Sequence, residues 1–352
     1  MQLTDFYSFN CSSYSSDSGY TCQDNSTEAT FVVSQSKRYR LRLINTGAFA
    51  EFQFSIDNHT LSVIEADGTL VKPVTVHRVP INIAQRYSVV VTMNQTSTNY
   101  WIRAYMNTHC FSSDNPVLDS DVRALLTYTN TTYEPTASVD WKTALDVACE
   151  DLVAATLVPS VVQTAPAPDH VYAIEVSFQI GAYALDRAYI NSTSWTPLTD
   201  PTLNQAVAGL HANNATFNTI GKSSAYASSQ FIIDIPSYAV IDLLINSLDE
   251  GAHPFHLHGH EFFIMDSGSS GDFDWSTYDS LNTTNPMRRD TMTIDAYGWA
   301  LIRFVADNPG LWAFHCHISW HMEAGLLMQF QSRNDIMSTW TLPSDVLALC
   351  DG

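Results

Sequence analysis

Residues 311–330 read LWAFHCHISWHMEAGLLMQF, which places a thiol, Cys316, between two imidazoles, His315 and His317, with a third imidazole, His321, five residues past the thiol. An earlier stretch, HPFHLHGH, supplies His253, His256, His258 and His260. Seven of the 12 histidines therefore fall between His253 and His321. The scattered ones, His59, His77, His109, His170 and His211, are read as solvated or hydrogen-bonded side chains. A thiol among imidazoles at this density is the donor set of a borderline-soft ion such as zinc or copper.

Strand geometry sorts these donors. Side chains alternate between faces with a period of two, so His256 and His258 share one face and His253 points to the other. In the same way His315 and His317 share a face and Cys316 projects away from them. His321 lies beyond the strand and turns back toward the thiol. The expected outcome is an N,N,S group of His253, Cys316 and His321 on one side, with His256, His258, His315 and His317 behind it. Two imidazoles and a thiolate with a weak or absent axial donor make up a blue electron-transfer copper site. Zinc takes the same ligand types but has no use for a covalent link to imidazoles across the strand, so copper is the better reading. His260 shares the parity of His258 but ends the motif, and it is assigned to a supporting or surface position. Met322 and Met328 are read as core fillers.

The elements that must position these residues read as strands. ATFVVSQ, KRYRLRLIN, FQFSIDN, LSVIEAD, RYSVVVTM, YWIRAYM and VRALLTY are short, rich in branched and aromatic residues, and punctuated by Gly, Asn, Asp or Pro. In RYRLRLIN, Tyr39, Leu41 and Leu43 alternate with Arg38, Arg40 and Arg42, the pattern of a half-solvated strand. The Pro/Ala-rich stretch within 150–170 breaks the run. A second series follows, HVYAIEVSFQI, FIIDIP, AVIDLLINS, HPFHLHGHEFFIMD, DTMTIDA and WALIRFVAD. GSSGDFDWSTYDSLNTTNPM reads as a surface excursion, and ISWHMEAGLLMQF as a short helix returning to a strand. The fold class is all-β, two consecutive β-sandwiches over residues 1–150 and 151–352, the second the larger.

Composition narrows the function. Sixteen Lys+Arg against 36 Asp+Glu give a formal charge of -20, which repels nucleic acid and anionic membranes. No run has the length and apolarity of a spanning helix. Asn10, Asn25, Asn58, Asn94, Asn130, Asn191, Asn214 and Asn282 each stand in N-x-[ST], the pattern of a secreted glycoprotein; Asn58 lies in a strand-like stretch with little room for a glycan. MQLTDFYSFN is neither basic nor apolar enough for a signal peptide. With Cys316 set aside as a ligand, Cys11, Cys22, Cys110, Cys149 and Cys350 leave an odd thiol. Cys11 and Cys22 bracket a loop they are able to close, and Cys110, Cys149 and Cys350 cannot all pair internally.

HPFHLHGHEFF, NPMRRDTMTI, GWALIRFVADNPGLWAFHCHISWHMEAGL, KRYRLRLINTG and IAQRYSVVV together resemble the fungal laccases of the multicopper oxidase family. The resemblance extends over nearly the whole chain and is loosest in 131–230. It implies cupredoxin domains, which are Greek-key β-sandwiches. It also implies that His253, Cys316 and His321 are type 1 copper ligands and the point of electron entry, that His256 is a type 2 ligand, and that His258, His315 and His317 are type 3 ligands. Leu326, ten residues past the thiol, occupies the axial position and cannot ligate, which implies a three-coordinate site of high potential. A complete oxidase of this kind holds four coppers. It couples one-electron oxidation of a small aromatic donor, a phenol or aromatic amine, to four-electron reduction of dioxygen to water.

The family's dioxygen site uses eight histidines in four His-x-His pairs, and this chain has only HLH and HCH. Lost pairs, an odd thiol and no export signal share one expected cause: a chain truncated at its N-terminus that lacks the first cupredoxin domain. Residues 1–150 are then the second domain and 151–352 the third, with only the type 1 copper secure. The absent domain is expected to pack against the chain, Cys350 to lack its partner, and the parent to be secreted. The alternatives are a ferroxidase-type metal oxidase, with Glu323 as the carboxylate near the electron-entry edge, and a single-copper electron-transfer module or inert fragment. Asp5 is a possible match to the family's acidic residue beside the phenol.

Overall fold

The structure is a computed structural model that describes residues 29–96, 98–111, 118–128, 135, 140, 149–180 and 186–348. Asp5, Cys11, Cys22, Cys350, Asn10, Asn25 and Asn130 lie outside the described residues, so the expectations that involve them are not addressed by it. The chain divides into two compact units, Met1–Leu152 and Val153–Gly352. Among the described residues no helix is long and apolar enough to cross a membrane.

The first unit contains β1 (Thr30–Val32), β2 (Arg38–Ile44), β3 (Phe52–Ile56), β4 (Leu61–Ala66), β5 (Thr69–Val76), β6 (Arg78–Ile81), β7 (Arg86–Thr92), β8 (Asn99–Met106) and β9 (Asp121–Thr127). They form two sheets, β1-β9-β8-β3-β6 and β2-β7-β4-β5. Ile56, Leu61, Val63, Val79, Val89 and Val91, all fully buried, make the filling between them. Along β2, Leu43 is buried and Tyr39 and Leu41 are partly covered, while Arg38, Arg40 and Arg42 are exposed, so the alternation read from RYRLRLIN is what the strand does. Strands β5 and β6 are not among the stretches read as strands from the sequence, and each carries a proline, Pro73 and Pro80. Both are edge strands of their sheets, where a missing N–H costs least.

The second unit contains β10 (His170–Ile180), β11 (Asp186–Ile190), β12 (Gly221–Lys222), β13 (Ile232–Ile235), β14 (Ala239–Ser247), β15 (His253–Leu257), β16 (Phe262–Gly268), β17 (Arg288–Arg289), β18 (Thr291–Ile294), β19 (Trp299–Ala306), β20 (Gly310–Cys316) and β21 (Leu327–Ser332). Again there are two sheets, β11-β10-β14-β19-β16-β17 and β12-β13-β21-β20-β15-β18. Pairing is antiparallel except at β1/β9, β10/β14 and β13/β21, where the chain returns to a sheet by a longer connection, as Greek-key sandwiches do. The two Greek-key sandwiches expected from the sequence are thus the architecture. Helix α1 (Thr202–His211) was not anticipated; Ala206, Val207 and Leu210 pack it against Phe217 and Met337. The stretch around Trp275–Ser280 is also more than a surface excursion, because Phe273 is buried with Phe263, Met265 and Leu301.

One buried ion pair inside the second unit is held on both sides. Arg303 donates from Nε to Asp242 Oδ1 at 2.5 Å and from Nη2 to Asp242 Oδ2 at 2.8 Å, and Tyr278 donates to the same carboxylate at 2.6 Å. Asp234 differs, since its buried carboxylate accepts from Asn334 Nδ2 (2.6 Å) and Thr219 N (2.8 Å) with no cation opposite it among the described residues. Burial raises its pKa to about 7 against those hydrogen bonds. The folded chain keeps a proton that the unfolded chain releases, so this group subtracts stability as pH rises from about 4 to about 7. The urea midpoint of the wild type relative to Asp234→Asn is expected to fall with rising pH across that range.

Cys110 and Cys149 form a disulfide in the first unit, 39 residues apart. This settles two of the three cysteines left unassigned above. Closing a loop of that size stabilises by about 2–4 kcal/mol, so Cys110→Ser with Cys149→Ser is expected to lower the first unit's unfolding midpoint accordingly in denaturant melts.

A candidate metal centre in the second sandwich

Cys316 ends β20 directly opposite Phe255 of β15, and His315 lies opposite His256. Opposed residues share a face of the sheet, so Cys316 and His253 point to one side, and His256 and His315 to the other. His321 comes from α2 (Ser319–Glu323), a short helix that brings its ring back over the thiol. The turn out of that helix needs Gly325, whose φ is +117 and whose absent Cβ would lie 2.2 Å from Ser194 Oγ.

His253 Nδ1 lies 3.7 Å and His321 Nδ1 3.6 Å from Cys316 Sγ, with the two nitrogens 3.2 Å apart. The point equidistant from these three atoms is about 2.0 Å from each, the length of a metal–imidazole bond and a little short of a metal–thiolate bond. Tautomers support the same conclusion. Asp249 Oδ2, which can only accept, is 3.1 Å from His253 Nε2, so the proton sits on Nε2 and the Nδ1 lone pair faces the thiol. Burial lowers the pKa of His321 to about 4, which leaves its ring neutral and able to ligate. Burial pushes the Cys316 thiol upward, and a bound cation would reverse this by taking the proton's place on sulfur. Burial would also raise Asp249, but hydrogen bonds from His253 and Gly251 hold its carboxyl below the usual range. These residues fit a metal ion: among the described residues they are the group whose donors converge on one point.

Leu326 is fully buried. Its carbonyl accepts from Cys316 N at 3.2 Å and its amide donates to His321 O at 2.9 Å, while its side chain offers no donor atom. Behind the strand, His258 Nε2 and His315 Nε2 approach to 3.0 Å, and the ring centroids of His256 and His317 are 5.9 Å apart. His256 Nδ1 donates to the Asp290 carbonyl at 2.9 Å, and His315 Nδ1 to the Cys316 carbonyl at 2.9 Å. Both therefore present Nε2 as the donor atom, with burial lowering the pKa of His315 to about 4. His317 Nδ1 is buried with no hydrogen-bond partner among the described residues.

His260 takes the supporting position and not the surface one. It is buried, donates from Nδ1 to the His258 carbonyl at 3.1 Å, and sits edge-on to Phe304 and Trp312. Between them, Gly259 has φ +69, and an added Cβ would fall 2.4 Å from the Trp312 ring. Gly259→Ala is expected to cost about 1–3 kcal/mol, read in thermal melts. Met328 is buried on β21 and Met322 half-buried on α2, both without a role at the thiol. Glu323 is exposed.

Sequence reasoning missed two residues at this centre. Asp249 gave a faint signal, a carboxylate four positions before His253. Phe178 gave none, because it arrives from β10 in the other sheet; its ring lies 5.6 Å from that of His253 and 4.7 Å from that of His321.

With two sandwiches and a convergent thiol–imidazole group established, comparison with known proteins gives the class. Multicopper oxidase family profiles match residues 4–130 and 195–335. The chain belongs to the multicopper oxidase family. It is 33% identical to the iron transport multicopper oxidase fio1 of Schizosaccharomyces pombe over 93% of this chain and 51% of that protein. It is 35% identical to Laccase-1 of Pleurotus ostreatus over 92% of this chain and 56% of that protein. The crystal structure of the laccase from Botrytis aclada superposes with a TM-score of 0.81 at 30% identity, covering 97% of this chain and 59% of that one. That of Fet3p, a multicopper oxidase that functions in iron import, gives 0.82 at 27% identity, covering 93% and 62%. The chain spans about half the length of the curated relatives it matches.

The match over residues 4–130 corrects one expectation. The opening part of this chain is itself a multicopper oxidase domain, so the chain does not lack its first cupredoxin domain, and the expected packing of an absent one falls with it. Lost His-x-His pairs, an odd thiol and the lack of an export signal do not by themselves mark a missing domain, because a sandwich keeps its strand pattern whether or not it carries ligands.

Proposed function

We propose that this chain bears the electron-entry centre of a laccase-type copper oxidase, with residues 1–150 and 151–352 as its two cupredoxin domains and the centre in the second. His253, Cys316 and His321 would hold a type 1 copper, with Leu326 as the non-ligating axial residue. His256, His258, His315 and His317 would serve the type 2 and type 3 ions. The observation that carries this reading is the triangle of Nδ1, Nδ1 and Sγ with sides of 3.2, 3.6 and 3.7 Å. Copper supplies one-electron redox chemistry when bound.

The residues do the rest. His321 is the half-exposed member of the three while His253 and Cys316 are buried, so a small phenol or aromatic amine meets the centre at the His321 edge. The peptide bonds flanking Cys316 link the thiolate side to His315 and His317, giving a covalent path through the strand. Asp249 holds the His253 ring and its proton in place. In the larger oxidase this path would feed four-electron reduction of dioxygen to water. The chain's four His-x-His imidazoles are half the number such a cluster takes, so the 352 residues alone bind copper at the thiolate without consuming dioxygen. Secretion fits the five described sequons, Asn58, Asn94, Asn191, Asn214 and Asn282. All five are exposed, and Asn58 stands in the turn between β3 and β4 and not within a strand.

The test is to load the chain with copper, record its visible spectrum and copper content, and follow dioxygen. An intense blue thiolate band with no dioxygen uptake is expected. A copper-loaded chain without that band overturns the assignment of Cys316.

A second reading, in which the donor is a metal ion, is favoured by the Asp249 carboxylate on His253 and by similarity to two oxidases named for iron transport or import. Rapid mixing of the oxidised chain with ferrous ion or with a phenol separates the two. If Asp249→Ala slows bleaching by ferrous ion alone, the metal-ion reading gains. Glu323→Ala serves as the exposed comparison.

A further inference from the structure

One side chain at this centre comes from the opposite sheet. Phe178 lies on β10, whereas the thiol and His253 lie on β20 and β15. Its ring stacks nearly parallel on His253, at 11°, and meets His321 at 61°. The centroids of the two imidazoles are 5.1 Å apart, so a single ring lies against both imidazoles. Asp249 fixes the far nitrogen of His253, but it reaches only that ring. His321 stands on a five-residue helix, too short to be rigid by itself. Phe178 is half-buried, and Ile180, two residues along the same face, is 78% exposed. A residue whose role was filling the sandwich would be sealed inside it. Phe178 has one side toward solvent and the other against the imidazoles.

We propose, on the thiolate–copper reading above, that Phe178 is a positioning residue of the centre. It clamps the His253 and His321 rings so that both Nδ1 atoms face Cys316 Sγ, and it keeps water from the ion. Imidazole rings held in one orientation lose little freedom on binding, which strengthens affinity. An apolar cover over a thiolate site, with Leu326 also lacking a donor, favours the less charged, reduced ion and raises the potential. Without the ring, water gains access as an additional oxygen donor and stabilises the oxidised ion.

The test uses the full chain as wild type, Phe178→Ala and Phe178→Leu, titrated with cobalt(II) as a spectroscopic ion and, separately, loaded with copper for potentiometry. Phe178→Ala is expected to bind cobalt about 10- to 100-fold more weakly, to show weaker ligand-field bands as water coordinates, and to have a lower copper potential. Phe178→Leu, apolar but without the ring, is expected to fall between the two. Melts of the metal-free proteins identify the folded fraction, so a general loss of stability is not mistaken for loss of the clamp. Wild-type affinity, cobalt spectrum and copper potential in folded Phe178→Ala overturn the proposal alone. A wild-type chain with no thiolate-to-cobalt band overturns the underlying reading and this proposal together.

Discussion

Cys316→Ser is expected to remove the blue band completely and to weaken copper binding by more than about a hundred-fold, beyond what loss of an outer-shell partner costs. The reason lies in the donor atom. The band arises from charge transfer out of a thiolate sulfur, and a serine hydroxyl neither ionises at neutral pH nor offers a soft lone pair. His253 and His321 remain and retain a weak, pale site. The companion variant His256→Ala separates the two faces of the strand: His256 lies across from His315 and away from the thiol, so its removal is expected to leave the blue band intact. Copper titration followed by visible absorption measures both. A blue band that survives Cys316→Ser, or vanishes in His256→Ala, contradicts the separation of the donors by strand parity.

The second large effect is on stability. Arg303→Met is expected to cost about 3–5 kcal/mol, because it leaves the fully buried Asp242 carboxylate with only the Tyr278 hydroxyl for company. The same substitution with Asp242→Leu replaces both charges by apolar groups, and it is expected to recover much of that loss. Denaturant melts of the two singles and the double close the cycle. Equal losses in the single and the double would show that the pair contributes through shape and not through compensation of buried charge.

Much of the centre was legible in the sequence because its donors lie on two strands and one short helix, where local spacing dictates direction. The two-residue period separates His253 from His256 and His258, and Cys316 from His315 and His317, before any tertiary contact is known. The register that sets Cys316 opposite Phe255 was not legible, nor was Phe178, since both depend on pairing between distant segments. Helix α1 escaped for a related reason. TLNQAVAGLH carries a short apolar stripe that only its tertiary neighbours, Phe217 and Met337, make worth burying. Strands β5 and β6 also went unread, and their prolines are accommodated because both strands lie at sheet edges.

Leu326 has a consequence beyond its inert side chain. Its amide and carbonyl stitch the segment from Cys316 to His321 at the base, so the ligand spacing is set by main-chain hydrogen bonds and not by an ion. When the charge of a bound ion changes by one, its surroundings have little to rearrange. If a redox-active ion binds here as proposed, a centre braced in this way would exchange electrons with a small nuclear reorganisation cost, and speed would then be governed chiefly by how near a donor can come.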